Sequence, residues 1–175
     1  MTTLSELIAS VRNKIAFASL QGYIDFACAY LSFIENGLQA EIVSQNETQY
    51  RFLQYRDDGH YNISRPLNNS LLYRAPDADI LRNDFRAVLQ TCREQNPNVA
   101  SRSIITRSIY TLQQTIGAAL DALPAGKSNE ALKLNGDLFE QLIRLTIRAV
   151  GVTCEAGTVQ EPVVLDSEVS FHMSY

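Results

Sequence analysis

The feature that most constrains this fold is a long stretch of helical periodicity from near residue 79 to residue 123. Apolar residues recur there at the three- and four-residue spacing that puts them on one face of an α-helix. The Asn-Pro-Asn triplet at 96–98 interrupts the stretch once, because proline disfavours the helical conformation of the residue before it. Two helices joined by so short a loop predict an antiparallel pair.

The N-terminal region, from residue 3 to about residue 45, is also predicted to be helical. Thr3 and Glu6 have the spacing of a capping box, in which each side chain binds the other residue's free backbone N–H. The segment "YIDFACAYLSFIE" (23–35) is apolar on nearly every face. Such a helix is typically buried at the centre of a domain or in a dimer interface.

Two regions have the character of strands rather than helices. Residues 48–64, "TQYRFLQYRDDGHYNIS", are rich in aromatic residues and contain an Asp-Gly pair, which predicts a β-hairpin. The chain after residue 150 reads as short strands and turns. The predicted fold class is therefore α+β and mainly helical, with antiparallel helices, a hairpin and short C-terminal strands.

Composition narrows the class of protein. A length of 175 residues fits one domain, or one domain with a small appendage. The sequence has no apolar run long enough to span a membrane and no pattern typical of a secretory signal. Three widely spaced cysteines fit neither a disulfide framework nor a zinc site, so we expect reduced thiols in a cytoplasmic protein.

Charge is distributed unevenly along the chain. The net charge is −4, which argues against a protein that simply coats nucleic acid. Residues 151–175 contain four acidic residues and no Lys or Arg, so residues 1–150 balance to zero. An acidic end is compatible with a solvated surface and with a patch that holds a divalent metal, and composition does not separate the two.

The segment "GDLFEQLIRLTIRAVG" (136–151) predicts a capped amphipathic helix. Asp137 is suited to the N-cap, Glu140 to the third helical position, and Gly151 to the position after the C-cap. Leucines recur on one side at Leu138, Leu142 and Leu145. On spacing alone, each of these residues has a structural role.

This segment also resembles a known family. A glycine, an acidic residue and Phe-Glu, followed by an apolar helix and "AVGV", are similar to the first core helix of PD-(D/E)XK nucleases. The longer stretch "LPAGKSNEALKLNGDLFEQLIRLTIRAVGV" resembles type II restriction endonucleases, and within them the ApaLI-like group. The resemblance covers about 35 of the 175 residues.

The resemblance implies hydrolysis of double-stranded DNA at a specific sequence, with Mg²⁺ as cofactor and a homodimer as the assembly. It assigns Glu140 to the catalytic site. The family's Asp and Glu/Asp-x-Lys pattern does not follow residue 150, so no metal ligand is assigned in this chain. On this hypothesis residues 1–128 form a mainly helical region, residues 129–175 begin the nuclease core, and the catalytic acids lie beyond Tyr175.

Four arginines are candidates for phosphate contacts, because guanidinium groups fix a protein on a nucleic-acid backbone. They are Arg102 and Arg107 in "SRSIITRSIYTLQQ", and Arg144 and Arg148 in the helix just described. For the first pair, a helix with a polar outer face explains the same residues. The alternative function is a non-enzymatic helical interaction or assembly module, such as a phage connector-type protein, which the apolar segment 23–35 and the acidic end also suit.

Overall fold

The computed structural model describes the chain in nine stretches: residues 2–37, 42–45, 49–55, 61–63, 67–68, 78–123, 126–152, 161–164 and 170–173. Side chains are described for residues 2–36, 78–123 and 126–152, which together form a helical body. The fold and its core are built from this body.

Five α-helices make up most of the helical body. They are α1 (Leu4–Asn13), α2 (Leu20–Ser32), α3 (Phe85–Thr91), α4 (Val99–Asp121) and α5 (Ser128–Ala149). Shorter turns adjoin them: a 3-10 turn at Ile15–Ala18 and π-helical turns at Phe33–Gly37 and Ile80–Asp84. Helix α2 packs against α1, α4 and α5, and α4 packs against α3 and α5.

The predicted α+β fold class is wrong. The helical body is all-helical, at 83% helix, and contains no strand or sheet. The physical reason is that helices supply the whole described core: their apolar stripes bury one another, and no strand is needed to cover them.

Extended backbone occurs in short segments outside the body. These are β1 (Ile42–Gln45), β2 (Gln49–Tyr55), β3 (Tyr61–Ile63), β4 (Leu67–Asn68), β5 (Glu161–Val164) and β6 (Ser170–Met173). Strand β2 pairs antiparallel with β1, β3 and β4, and β5 pairs with β6. The turn 57–59 of the predicted hairpin lies outside the described residues. The core that the structure describes is therefore built by helices alone.

The core is centred on α2, whose central burial confirms the prediction from its apolar faces. Tyr23, Ile24 and Ala27 are completely buried. A chain of aromatic contacts runs along the helix, beginning with an edge-on contact of 4.8 Å between the ring centroids of Phe17 and Tyr23 and continuing through Phe26, Tyr30 and Phe33. Aromatic side chains bury large areas, so this row anchors the helices around α2.

Two predicted helix boundaries are confirmed. Thr3 and Glu6 form both hydrogen bonds of a capping box at the start of α1. Gly151 has a φ of 86° directly after Val150, the C-cap of α5, which is the left-handed conformation that favours glycine.

The predicted start of α5 is wrong. Helix α5 begins at Ser128, so Asp137 is an interior residue and not its N-cap. Gly136 costs a helix only about 0.5–1 kcal/mol relative to alanine, whereas burying a leucine stabilises by about 1.5–3 kcal/mol. Leu134, before the glycine, is therefore enough to extend the helix. Helix α4 is capped by Asn98, whose Oδ1 accepts the Ser101 N–H at 2.9 Å.

The break between α1 and α2 lies at Lys14–Ser19. Lys14 ends α1 in the left-handed conformation, with φ 60°. Gly22 instead allows α2 to approach the preceding turn: a β-carbon at this position would lie 1.4 Å from the carbonyl oxygen of Ala16. Only glycine fits this contact without displacing backbone.

We expect Gly22→Ala to destabilise the fold, at or above the upper end of the roughly 1–3 kcal/mol typical of overpacking, because the obstructing atom belongs to the backbone. Gly136→Ala is the matched control. A β-carbon at Gly136 meets no atom within 4 Å, so the same change should stabilise the helix by about 0.5–1 kcal/mol. Urea unfolding followed by circular dichroism measures both, and equal effects at the two sites would contradict the described packing.

Candidate interaction surface

Helix α5 is held against the body by its inner face. Leu134, Leu138 and Leu142 follow one another at four-residue spacing and are buried. The Tyr23 hydroxyl on α2 donates a hydrogen bond of 2.6 Å to the Leu138 carbonyl oxygen. Burial raises the pKa of Tyr23 above its ordinary value, so the ring remains a neutral donor. This contact fixes which side of α5 faces the core.

Ion pairs fix the edge of α5 nearest α1. Arg12 binds Glu130 and Lys14 binds Asp137, each with an N–O distance of 2.7 Å. The hydrogen bond from Arg12 lowers the pKa of Glu130, and that from Lys14 lowers the pKa of Asp137. Asp137, the predicted helix cap, thus ties α5 to the end of α1.

The opposite edge of α5 contacts α4. The Gln113 side-chain nitrogen approaches the Asn135 amide oxygen at 3.5 Å. Gln113 precedes the end of α4 by about as many residues as Asn135 follows the start of α5, so the two helices run antiparallel. The core, α1 and α4 therefore occupy three sides of α5, and its fourth side faces outward.

The outward side carries an apolar row, which we call the outer seam. It consists of Leu132, Gly136, Phe139 and Ile143, whose spacing of four, three and four residues keeps them on one side of a helix. Leu132 is 71% exposed, Phe139 is 44% exposed, and Ile143 is half-buried. With open space around Gly136, the seam has a notch between its two large side chains.

Charged side chains border the outer seam. Lys133 and Glu140 lie seven residues apart, each directly after a large apolar residue of the seam. Glu140 forms an ion pair with Arg144 one turn further along, and its side chain remains 63% exposed. The border thus presents a positive group near one end of the seam and a negative group near the other.

The residues predicted for DNA cleavage and phosphate contact lie on α4 and α5. Glu140 lies on the surface of α5, joined to Arg144, which was predicted to contact phosphate. Arg102 and Arg107 lie in the first half of α4, where the Arg102 Nε donates to the carbonyl oxygen of Pro97 at 3.2 Å. Arg148 lies exposed in the last turn of α5. Glu140 and Arg144 are joined by an ion pair.

A groove of about 430 Å³ lies between α1, the 3-10 turn and α2. Its acidic side chains have local partners: Glu6 accepts from the backbone N–H of Thr3 at 2.8 Å, and Asp25 accepts from Gln21 at 2.6 Å. The first contact caps α1 and the second joins neighbouring turns of α2, so both carboxylates serve the helices themselves.

We expect Tyr23→Phe to lower the free energy of unfolding by about 0.5–1.5 kcal/mol, because it removes the buried hydrogen bond to Leu138 and little else. Tyr110→Phe is the matched control, since Tyr110 is 42% exposed and its hydroxyl can reach water. Chemical denaturation of both variants measures the difference. Equal unfolding midpoints for the two would show that the Tyr23 contact does not hold α5.

We also expect the ion pairs to contribute to the pH dependence of stability. Glu130 and Asp137 have lowered pKa values in the folded state, so their contribution is present above their unfolded pKa values, which are about 4. It is lost as the pH falls through the lower folded values. Glu130→Gln with Asp137→Asn should reduce the loss of stability between pH 5 and pH 3, measured by urea unfolding, and an unchanged acid slope would contradict this.

Among the helices that the structure describes, none is long and apolar enough to cross a membrane. Within the same residues, no group of three or more His, Cys, Asp or Glu side chains is arranged to hold a metal ion. Comparison of the chain with protein-family models, with curated proteins and with solved structures gave no match.

Proposed function

We propose that this chain is a non-enzymatic helical interaction module, and that it binds a partner protein through the outer seam of α5. The observation that carries the proposal is the exposure of Leu132 and Phe139 on the same side of a helix whose other sides are already engaged. Covering apolar surface yields roughly 25 cal/mol per Å². A partner helix laid along the seam would bury both side chains together.

The shape of the seam supports a helix as the partner. Apolar residues at alternating spacings of four and three form the pattern by which one helix packs along another. The notch at Gly136 admits a close approach of a second backbone. Charged residues at the border set the partner's orientation, because exposed ion pairs contribute more to specificity than to affinity.

The nuclease function stays a prediction. That prediction has Mg²⁺ as the cofactor, double-stranded DNA as the partner and Glu140 in the catalytic site. The contact between Glu140 and Arg144 favours the interaction module, because an exposed i, i+4 ion pair is a common way to stabilise a helix surface.

We further propose a cytoplasmic location. Cys28 is buried, and its thiol donates to the carbonyl oxygen of Ala78 at 3.8 Å. Cys92, on the end of α3, also carries a thiol. Cysteines kept as thiols fit the reducing conditions of the cytoplasm.

A photo-crosslinking experiment tests the interaction module. A benzophenone amino acid replaces Phe139 in the full chain, produced in its own host, and replaces Arg86 on α3 in the control. We expect a protein adduct at position 139 that is absent at position 86 and is lost when Leu132→Glu is added. An adduct with DNA at position 139, or equal protein adducts at both positions, would contradict the proposal.

A further inference from the structure

We infer that the partner at the outer seam is a second copy of this chain, bound with its α5 antiparallel and crossing at Gly136. The inference rests on the proposed function and specifies the occupant of the same surface. It is carried by the near-symmetric order of apolar and charged residues around Gly136, on the exposed side of α5.

The two exposed apolar residues of the seam lie on opposite sides of Gly136 at similar distances. Leu132 lies four residues before Gly136, and Phe139 lies three residues after it. In an antiparallel pair that crosses at Gly136, positions at similar distances on opposite sides face each other. Each Leu132 therefore meets the Phe139 of the other copy, and the two glycines meet at the crossing, where no side chain separates the helices.

The charges are complementary under the same operation. Lys133 lies three residues before Gly136, and Glu140 lies four residues after it. The antiparallel crossing thus places each Lys133 beside the Glu140 of the other copy, giving two opposite-charge pairs. A parallel pairing aligns Lys133 with Lys133 and Glu140 with Glu140, so the border charges favour the antiparallel arrangement.

The Arg144 partner of Glu140 is compatible with this contact. Arg144 binds Oε1 of Glu140, and this contact does not involve Oε2. A carboxylate accepts hydrogen bonds on both oxygens, so one Glu140 can bind Arg144 of its own helix and Lys133 of the second copy. The pair within the helix also holds the carboxylate in place for the pair between copies.

The dimer is expected to be reversible. The seam covers only about three helical turns, which places the interface near or below the roughly 1,200 Å² lower limit of standard protein interfaces. Dissociation is therefore expected on the order of micromolar concentrations or above. Sedimentation of the full chain over a dilution series should show the mass rise from one copy toward two.

Charge reversal tests the pairing directly. Lys133→Glu replaces each of the two opposite-charge pairs by two acidic groups. Glu140→Lys replaces each of them by two basic groups. Each variant alone should weaken self-association about tenfold, the equivalent of about 1.4 kcal/mol. Arg86→Glu is the matched control on the exposed surface of α3 and should leave self-association unchanged. Helical circular dichroism confirms that each variant is folded.

Mixing the two weakened variants gives the decisive result. In the mixed dimer Glu at position 133 faces Lys at position 140, and Lys at position 133 faces Glu at position 140, so both opposite-charge pairs return. We expect the mixture to associate at wild-type concentrations, and the double variant Lys133→Glu/Glu140→Lys to do so by itself. Failure of both to recover, or a wild-type chain that stays a single copy at all concentrations, overturns the inference.

Photo-crosslinking and self-association together distinguish a second copy from a different partner protein. A photo-adduct at position 139 that contains a different protein, together with a wild-type chain that remains a single copy, rejects the second copy and leaves the interaction module standing. Absence of both the adduct and self-association rejects both. An adduct of two copies of this chain with recovery on mixing supports both.

Discussion

The structure depends on the burial of the inner face of α5 against α2. Leu138 and Leu142 are buried there, and the Tyr23 hydroxyl binds the Leu138 carbonyl oxygen at the centre of the contact. Because a helix has one orientation about its axis once one face is fixed, this burial also decides which residues of α5 face outward. The outer seam is therefore a consequence of the core. Leu132 and Phe139 stay exposed, because the buried inner face prevents α5 from rotating about its axis.

Much of the helical body could be predicted from the sequence, because the signals are local. The capping box of Thr3 and Glu6 and the left-handed Gly151 depend on neighbouring residues, and both are confirmed. The boundary at Asp137 was wrong for a reason that local signals do not contain. Asn135 and Gly136 weaken a helix slightly, but tertiary burial of Leu134 keeps it continuous. The α+β class failed similarly, since the buried stripes of five helices close the described core.

For the candidate site, too, the prediction was limited to what local sequence signals contain. Glu140 and Arg144 were singled out because they lie in a segment that resembles a nuclease, and the structure joins them as an ion pair on a helix surface. Leu132 and Lys133 were missed, since a helix start at Asp137 left them in a connector. The available signal was the row of Leu132, Phe139 and Ile143 beside the leucine stripe. A second apolar row on an amphipathic helix indicates a surface that the core leaves exposed.

Thiol crosslinking measures directly whether two copies of α5 cross antiparallel at Gly136, as we propose. With the native cysteines replaced by alanine, Gly136→Cys or Lys127→Cys is treated with a short bifunctional thiol reagent. An antiparallel crossing brings the two positions 136 together but holds the two positions 127 about 27 Å apart, at a rise of 1.5 Å per residue. We expect a covalent dimer from Gly136→Cys alone. Equal crosslinking from both variants, or none from Gly136→Cys at a concentration where that variant itself self-associates, would contradict this arrangement.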